Sequence, residues 1–141
     1  MKGDHLMKIA SLGAVAVSTA LLWSQVPVRA HHSFAAEFDA KQSVTLTGTV
    51  ATIKWTNPHA HISVDVKDQT GNVTSWDFEM GSPNALMRRG WSRSSLKPGD
   101  VITVSGYLAK DGSHVANARS VTLGDGRKVF AGSSIETEQA Q

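Results

Sequence analysis

The sequence predicts an all-β fold, a small five-stranded OB-like barrel with one short helix between strands three and four. Three observations carry this expectation. Apolar and β-branched runs alternate with turn residues, and the longest run slips in phase along its length. The one segment with both a helix start and a helix stop signal follows the third run. Three strands, a helix and two more strands is the element order of the OB barrel, with a small β-sandwich as the main alternative.

Each element follows from its residues. The amino-terminal arm, residues 31–43, holds Phe34 and Phe38 four apart, spaced to share a face if the arm coils. Strand one, residues 44–55, places Val44, Leu46 and Val50 on one parity and Ile53 and Trp55 on the other. Such a slip implies a bulge or bend, which Gly48 makes cheap. Asn57-Pro58 is a turn signal. Strand two, residues 59–67, points Ala60, Ile62, Val64 and Val66 inward and His59, His61, Ser63, Asp65 and Lys67 outward. After the loop at 68–72, strand three, residues 73–80, turns Trp76, Phe78 and Met80 inward.

The helix, residues 82–90, has Ser82 to cap its free amides, Pro83 at its first position, Gly90 to end it left-handed, and Trp91 to fold back onto Leu86. Lys97-Pro98-Gly99-Asp100 turns into strand four, residues 101–109, with Ile102, Val104 and Leu108 on one side. Asp111-Gly112 leads to strand five, residues 115–123, and Asp125-Gly126 makes a last turn before Lys128-Val129-Phe130. The barrel domain thus spans 44–130, followed by a polar, frayed tail at 131–141.

Composition bounds the function. The 141 residues are 40% hydrophobic and contain no cysteine, which excludes disulfides, thiolate zinc sites and a thiol nucleophile. Residues 1–30 read as a secretory signal peptide: Lys2 and Lys8, an uncharged run at 9–23, then Val28-Arg29-Ala30 with small residues at the cleavage positions. That run is too short for a spanning helix, and Pro27 closes it. Cleavage between Ala30 and His31 removes three of fourteen basic and one of twelve acidic residues, leaving eleven of each. The formal charge of +2 therefore falls to about zero, and nucleic-acid binding loses its electrostatic basis. The expected product is periplasmic or secreted, with no stable membrane anchor after cleavage.

Five blocks occur in one order: His31-His32-Ser33-Phe34-Ala35-Ala36-Glu37, Trp55-Thr56-Asn57-Pro58-His59-Ala60, Gly81-Ser82-Pro83-Asn84, Arg88-Arg89-Gly90-Trp91 and Leu96-Lys97-Pro98-Gly99-Asp100. In these the chain resembles the domain of unknown function 6152 family of small exported bacterial proteins. The resemblance runs from His31 to about Ser133 and implies export and one compact domain. It transfers no activity.

Two constellations carry chemistry. With His31 as the first mature residue, its α-amino group and Nδ1 form a chelate, which His32, His59 and His61 complete as a nitrogen-rich set. Such a set without thiolate suits copper first and zinc as the alternative, with Glu37 and Asp39 as outer-shell partners. The second constellation is Trp55 and Asn57 beside the first loop with Arg88, Arg89 and Trp91 at the helix end. Those residues suit a periplasmic protein partner or an extended ligand. No catalytic set stands out: Ser33, Ser63 and Ser82 lack a nucleophile elbow, and Asp65, Asp77 and Glu79 share only an outward parity. The chain reads as a small exported binding protein rather than an enzyme. Parity alone does not say whether His31 and His59 converge.

Overall fold

A computed structural model describes residues 34–132. The expected signal peptide, His31, His32 and the tail from residue 133 lie outside the described residues. The elements are α1 (Phe34–Glu37), β1 (Phe38–Lys54), β2 (His61–Lys67), β3 (Val73–Glu79), α2 (Pro83–Arg88), β4 (Val101–Ala109), β5 (Val115–Thr122) and β6 (Lys128–Phe130).

The sheet runs β3-β2-β1-β4-β5-β6, and β3 also pairs with β5. That extra pairing closes five strands into a ring. It is parallel and short, from Asp77–Val115 to Glu79–Asn117, whereas the other pairings are antiparallel. The all-β barrel and the position of its helix agree with the sequence. The sixth strand is an addition: after the Asp125–Gly126 turn, Lys128–Phe130 pairs back onto β5.

Strand β1 serves both halves of the barrel, pairing with β2 through its end and with β4 through its beginning. The expected phase slip is a register shift between Val50 and Thr52 in the pairing with β2. Ala51 therefore takes the extra position, which swings Val50 inward and brings Ile53 and Trp55 to the inner side from the opposite parity. Gly48 has a different role from the bend expected of it. A Cβ there would stand 2.5 Å from the Asp65 carbonyl oxygen, so Gly48 lets β1 and β2 approach closely.

The strand begins at Phe38, six residues ahead of the Val44 expected. Phe38 pairs with Ala109, the chain then bows outward, and regular pairing resumes at Ser43–Tyr107. Asp39 holds the bow by accepting hydrogen bonds from Lys41 N–H (2.9 Å) and Gln42 Nε2 (3.0 Å). A polar stretch of this kind hides a strand from a reading based on alternation. The single turn α1 lays the ring of Phe34 5.7 Å from that of Phe38 and edge-on to Tyr107 at 5.6 Å. Lys110 fixes this arm, its Nζ donating to the Ala35 carbonyl and its N–H to that of Glu37. The three rings form a cluster apart from the barrel core.

Inside the barrel, Ile62, Val64, Phe78, Met80, Leu86, Val104 and Val121 are fully buried. Burying such side chains is the main force that closes the sheet. Helix α2 buries Pro83 and Leu86, and Leu86 joins the core. Ser82 Oγ accepts from Ala85 N–H at 3.3 Å. Gly90, at φ +92°, lets Gly90 N–H reach Met87 O and Trp91 N–H reach Leu86 O, both at 3.1 Å. This helix-ending motif sets buried Trp91 against buried Leu86 in the core.

Candidate functional site

The β2–β3 ribbon places the candidate residues. Its inner side carries Ile62, Val64 and Phe78, so the intervening residues His61, Ser63, Asp77 and Glu79 face outward. His59 lies just before β2, and Ala60 continues the pairing by donating to Gly81 O and accepting from Met80 N–H. His59 thus stands two residues from His61 on the same side of the ribbon. The Thr56 hydroxyl donates to the His59 carbonyl at 3.0 Å and fastens the turn that contains the cis Asn57–Pro58 bond.

Each imidazole is held by a carboxylate from β3. His59 Nδ1 lies 2.9 Å from Glu79 Oε1, and His61 Nδ1 lies 2.8 Å from Asp77 Oδ2. The first pair is the more sheltered, with the Glu79 side chain only 14% exposed. The hydrogen bond to Asp77 raises the His61 pKa above its ordinary value, helped by the charges of Asp77 and Glu79 and opposed by burial and by His59. Two imidazoles each held at Nδ1 by a carboxylate resemble the outer-shell pairing that orients metal-binding histidines.

The ribbon does not make a hydrolytic triad. Asp77 stands between the Ser63 hydroxyl, 3.5 Å from Oδ1, and the His61 ring on Oδ2. The imidazole is thus not in line to take the hydroxyl proton. Among the described residues, no group of three or more His, Asp or Glu side chains is placed to hold a metal ion. Two imidazoles therefore need further ligands, and His31 and His32 lie outside the described residues.

Asp39, expected as an outer-shell partner, has both carboxylate oxygens engaged within the arm. Asp77 and Glu79, not Asp39, stand beside the two ribbon histidines. Their outward parity was readable in the sequence, but the register that sets them against β2 was not.

The second constellation is also drawn together. The rings of Trp55 and Trp91 meet edge to face at 6.5 Å, and the Arg89 guanidinium lies 4.1 Å from the Phe130 ring centre. Trp91 is buried and spends its indole N–H on the Phe130 carbonyl at 2.7 Å, so it supports this end rather than presenting a surface. Asn57, Arg88 and Arg89 are exposed. His114, exposed in the bend before β5, sets its ring 5.0 Å from that of Trp76.

The fold and this ribbon define a small closed β-barrel of the OB-like class with paired histidines and carboxylates on its outer side. The chain belongs to a family of unknown function (DUF6152), whose model matches residues 20–118. No curated protein and no solved structure matches it. Among the described residues, no helix is long and apolar enough to cross a membrane.

Proposed function

We propose that the protein is an exported metal-binding barrel that takes Cu(II) first, and Zn(II) as the alternative, through His59 and His61 together with His31 and His32 of the arm. The carrying observation is the carboxylate grip on the two ribbon imidazoles at 2.9 and 2.8 Å. A carboxylate at Nδ1 fixes the ring, favours the tautomer with Nε2 as the lone-pair donor, and raises its basicity. A nitrogen set without thiolate fits Cu(II). With His31 as the first residue, its α-amino group and imidazole add a chelating pair.

The test starts from the exported, purified protein, with its first residue and intact mass determined, followed by titration with Cu(II) and Zn(II). Stoichiometric copper uptake that is lost in the H59A/H61A double variant supports the proposal. No stoichiometric uptake of either metal overturns it, and a start other than His31 removes the chelate.

The Trp55–Trp91 contact favours a second reading, in which the exposed parts of Trp55, Arg88 and Arg89 recognise a periplasmic protein or an extended ligand. Pull-downs with W55A and R88A should then lose a specific partner that the parent protein recovers. Unchanged recovery counts against it.

A further inference from the structure

We infer that the exposed cations around the end of α2 form a docking surface for an anionic phospholipid bilayer, with Met87 as its apolar tip. The surface is separate from the histidine–carboxylate ribbon and does not depend on the metal reading.

Its basis is segregated charge. Between Gly81 and Gly99 the chain carries Arg88, Arg89, Arg93 and Lys97 and no Asp or Glu. The β2–β3 ribbon instead carries Asp65, Asp68, Asp77 and Glu79 against Lys67 alone. The fold gathers the cations beside β6. The Arg89 guanidinium lies 4.1 Å from the centre of the Phe130 ring. Lys128 stands two residues from Phe130 and so shares its side of the strand. Trp91 Nε1 donates to the Phe130 carbonyl at 2.7 Å, which anchors the start of the next turn beside the same strand. That turn, closed by Ser95 N–H on Ser92 O at 3.1 Å, carries exposed Arg93. Lys97 and Arg127 are paired with Asp100 and Asp125 at 2.8 and 2.7 Å. Among the described residues, no carboxylate pairs with Arg88, Arg93 or Lys128, and all three are exposed.

Charge complementarity and one apolar side chain select the occupant. Guanidinium groups match phosphate oxygens in a two-pronged geometry. Met87, next to Arg88, is 49% exposed. A flexible thioether ringed by cations suits the boundary between phosphate headgroups and acyl chains, where the apolar part sinks and the charges stay at the phosphates. Each Lys or Arg held near such a surface multiplies partitioning about fivefold.

Cosedimentation of the exported, purified protein with vesicles tests this. At low ionic strength it should pellet with equimolar phosphatidylglycerol and phosphatidylcholine but stay in solution with phosphatidylcholine alone. Salt at about 1 M, where the screening length is about 3 Å, should release it. R88Q/R93Q should lower partitioning about 25-fold. K41Q/K67Q removes the same charge from other elements and should stay within about twofold of the parent. M87S should lower partitioning without changing its salt dependence; partitioning equal to the parent's overturns the lipid occupant in favour of a purely ionic partner. No binding to the anionic vesicles, equal binding to neutral ones, or equal loss in the two double variants overturns the inference. Displacement by inorganic phosphate at matched ionic strength overturns it as well, since that marks an ion site. If R88Q/R93Q does not fold, R93Q alone and the lipid and salt dependence of the parent decide.

Discussion

The Nδ1 of His61 lies 2.8 Å from Asp77 Oδ2, although the strand register sets His61 directly opposite Glu79. The bond is diagonal across the ribbon, and it leaves Glu79 to hold His59. Two histidines on one chain segment are thereby matched with two carboxylates on the next, each displaced by the same step.

This pairing predicts a pH dependence of stability. The folded-state pKa of His61 is raised above 6.5, chiefly by the Asp77 hydrogen bond, so the fold favours the protonated ring. The contribution is fully present below the unfolded value and is lost as pH rises through the raised folded value. Asp77 and Glu79 on β3 and the neighbouring His59 set its size, with Lys54 paired beside His61 from β1. Urea midpoints of metal-free protein between about pH 5 and 8 should fall as pH rises through this window, and H61Q should flatten that fall.

If the carboxylates orient metal-binding imidazoles, removing their charge weakens binding without removing a ligand. E79Q and D77N should each lower Cu(II) affinity about 10- to 100-fold. Competition titration against a chelator of known affinity measures this. Affinity equal to the parent's would show that the carboxylates serve the ribbon alone.

The core makes a sharper demand than the surface. F78A removes a fully buried ring and should cost about 3–5 kcal/mol of unfolding free energy. V73A, at a side chain 61% exposed, should stay within about 0.5 kcal/mol of the parent. Chemical denaturation of both variants under one condition checks the contrast.

Gly106 and Gly124 separate crowding from backbone conformation, since neither lies in the left-handed region. A Cβ at Gly106 would collide with the Asn117 carbonyl oxygen, whereas at Gly124 its nearest neighbour would be Val101 O at 3.6 Å. G106A should therefore cost at least the roughly 1–3 kcal/mol typical of an overpacked site. G124A should change stability by less than about 0.5 kcal/mol. Thermal unfolding of the two variants distinguishes them.

Local chemistry made much of this fold legible. Ser82, Pro83, Gly90 and Trp91 each act on neighbours within a few residues, so the helix and its two ends could be read directly. The alternation of Ala60, Ile62 and Val64 with His59, His61 and Ser63 likewise assigned each residue to its observed side. The start of β1 was not legible, because Asp39–Gln42 leave the pairing and Phe38 is held by a cluster outside the core. The candidate site was half legible for a related reason. Periodicity assigns a side within one strand, but only the register between strands brings Asp77 and Glu79 to the two histidines.

The seam that closes the barrel is only three residues long on each strand, and two of the three on β3 are Asp77 and Glu79. The hinge of the ring and the hands that hold the imidazoles are therefore one piece of backbone. Opening this seam would leave the β2–β3 pairing, and with it each histidine–carboxylate pair, in register, so the ribbon keeps its arrangement whether the ring is shut or open.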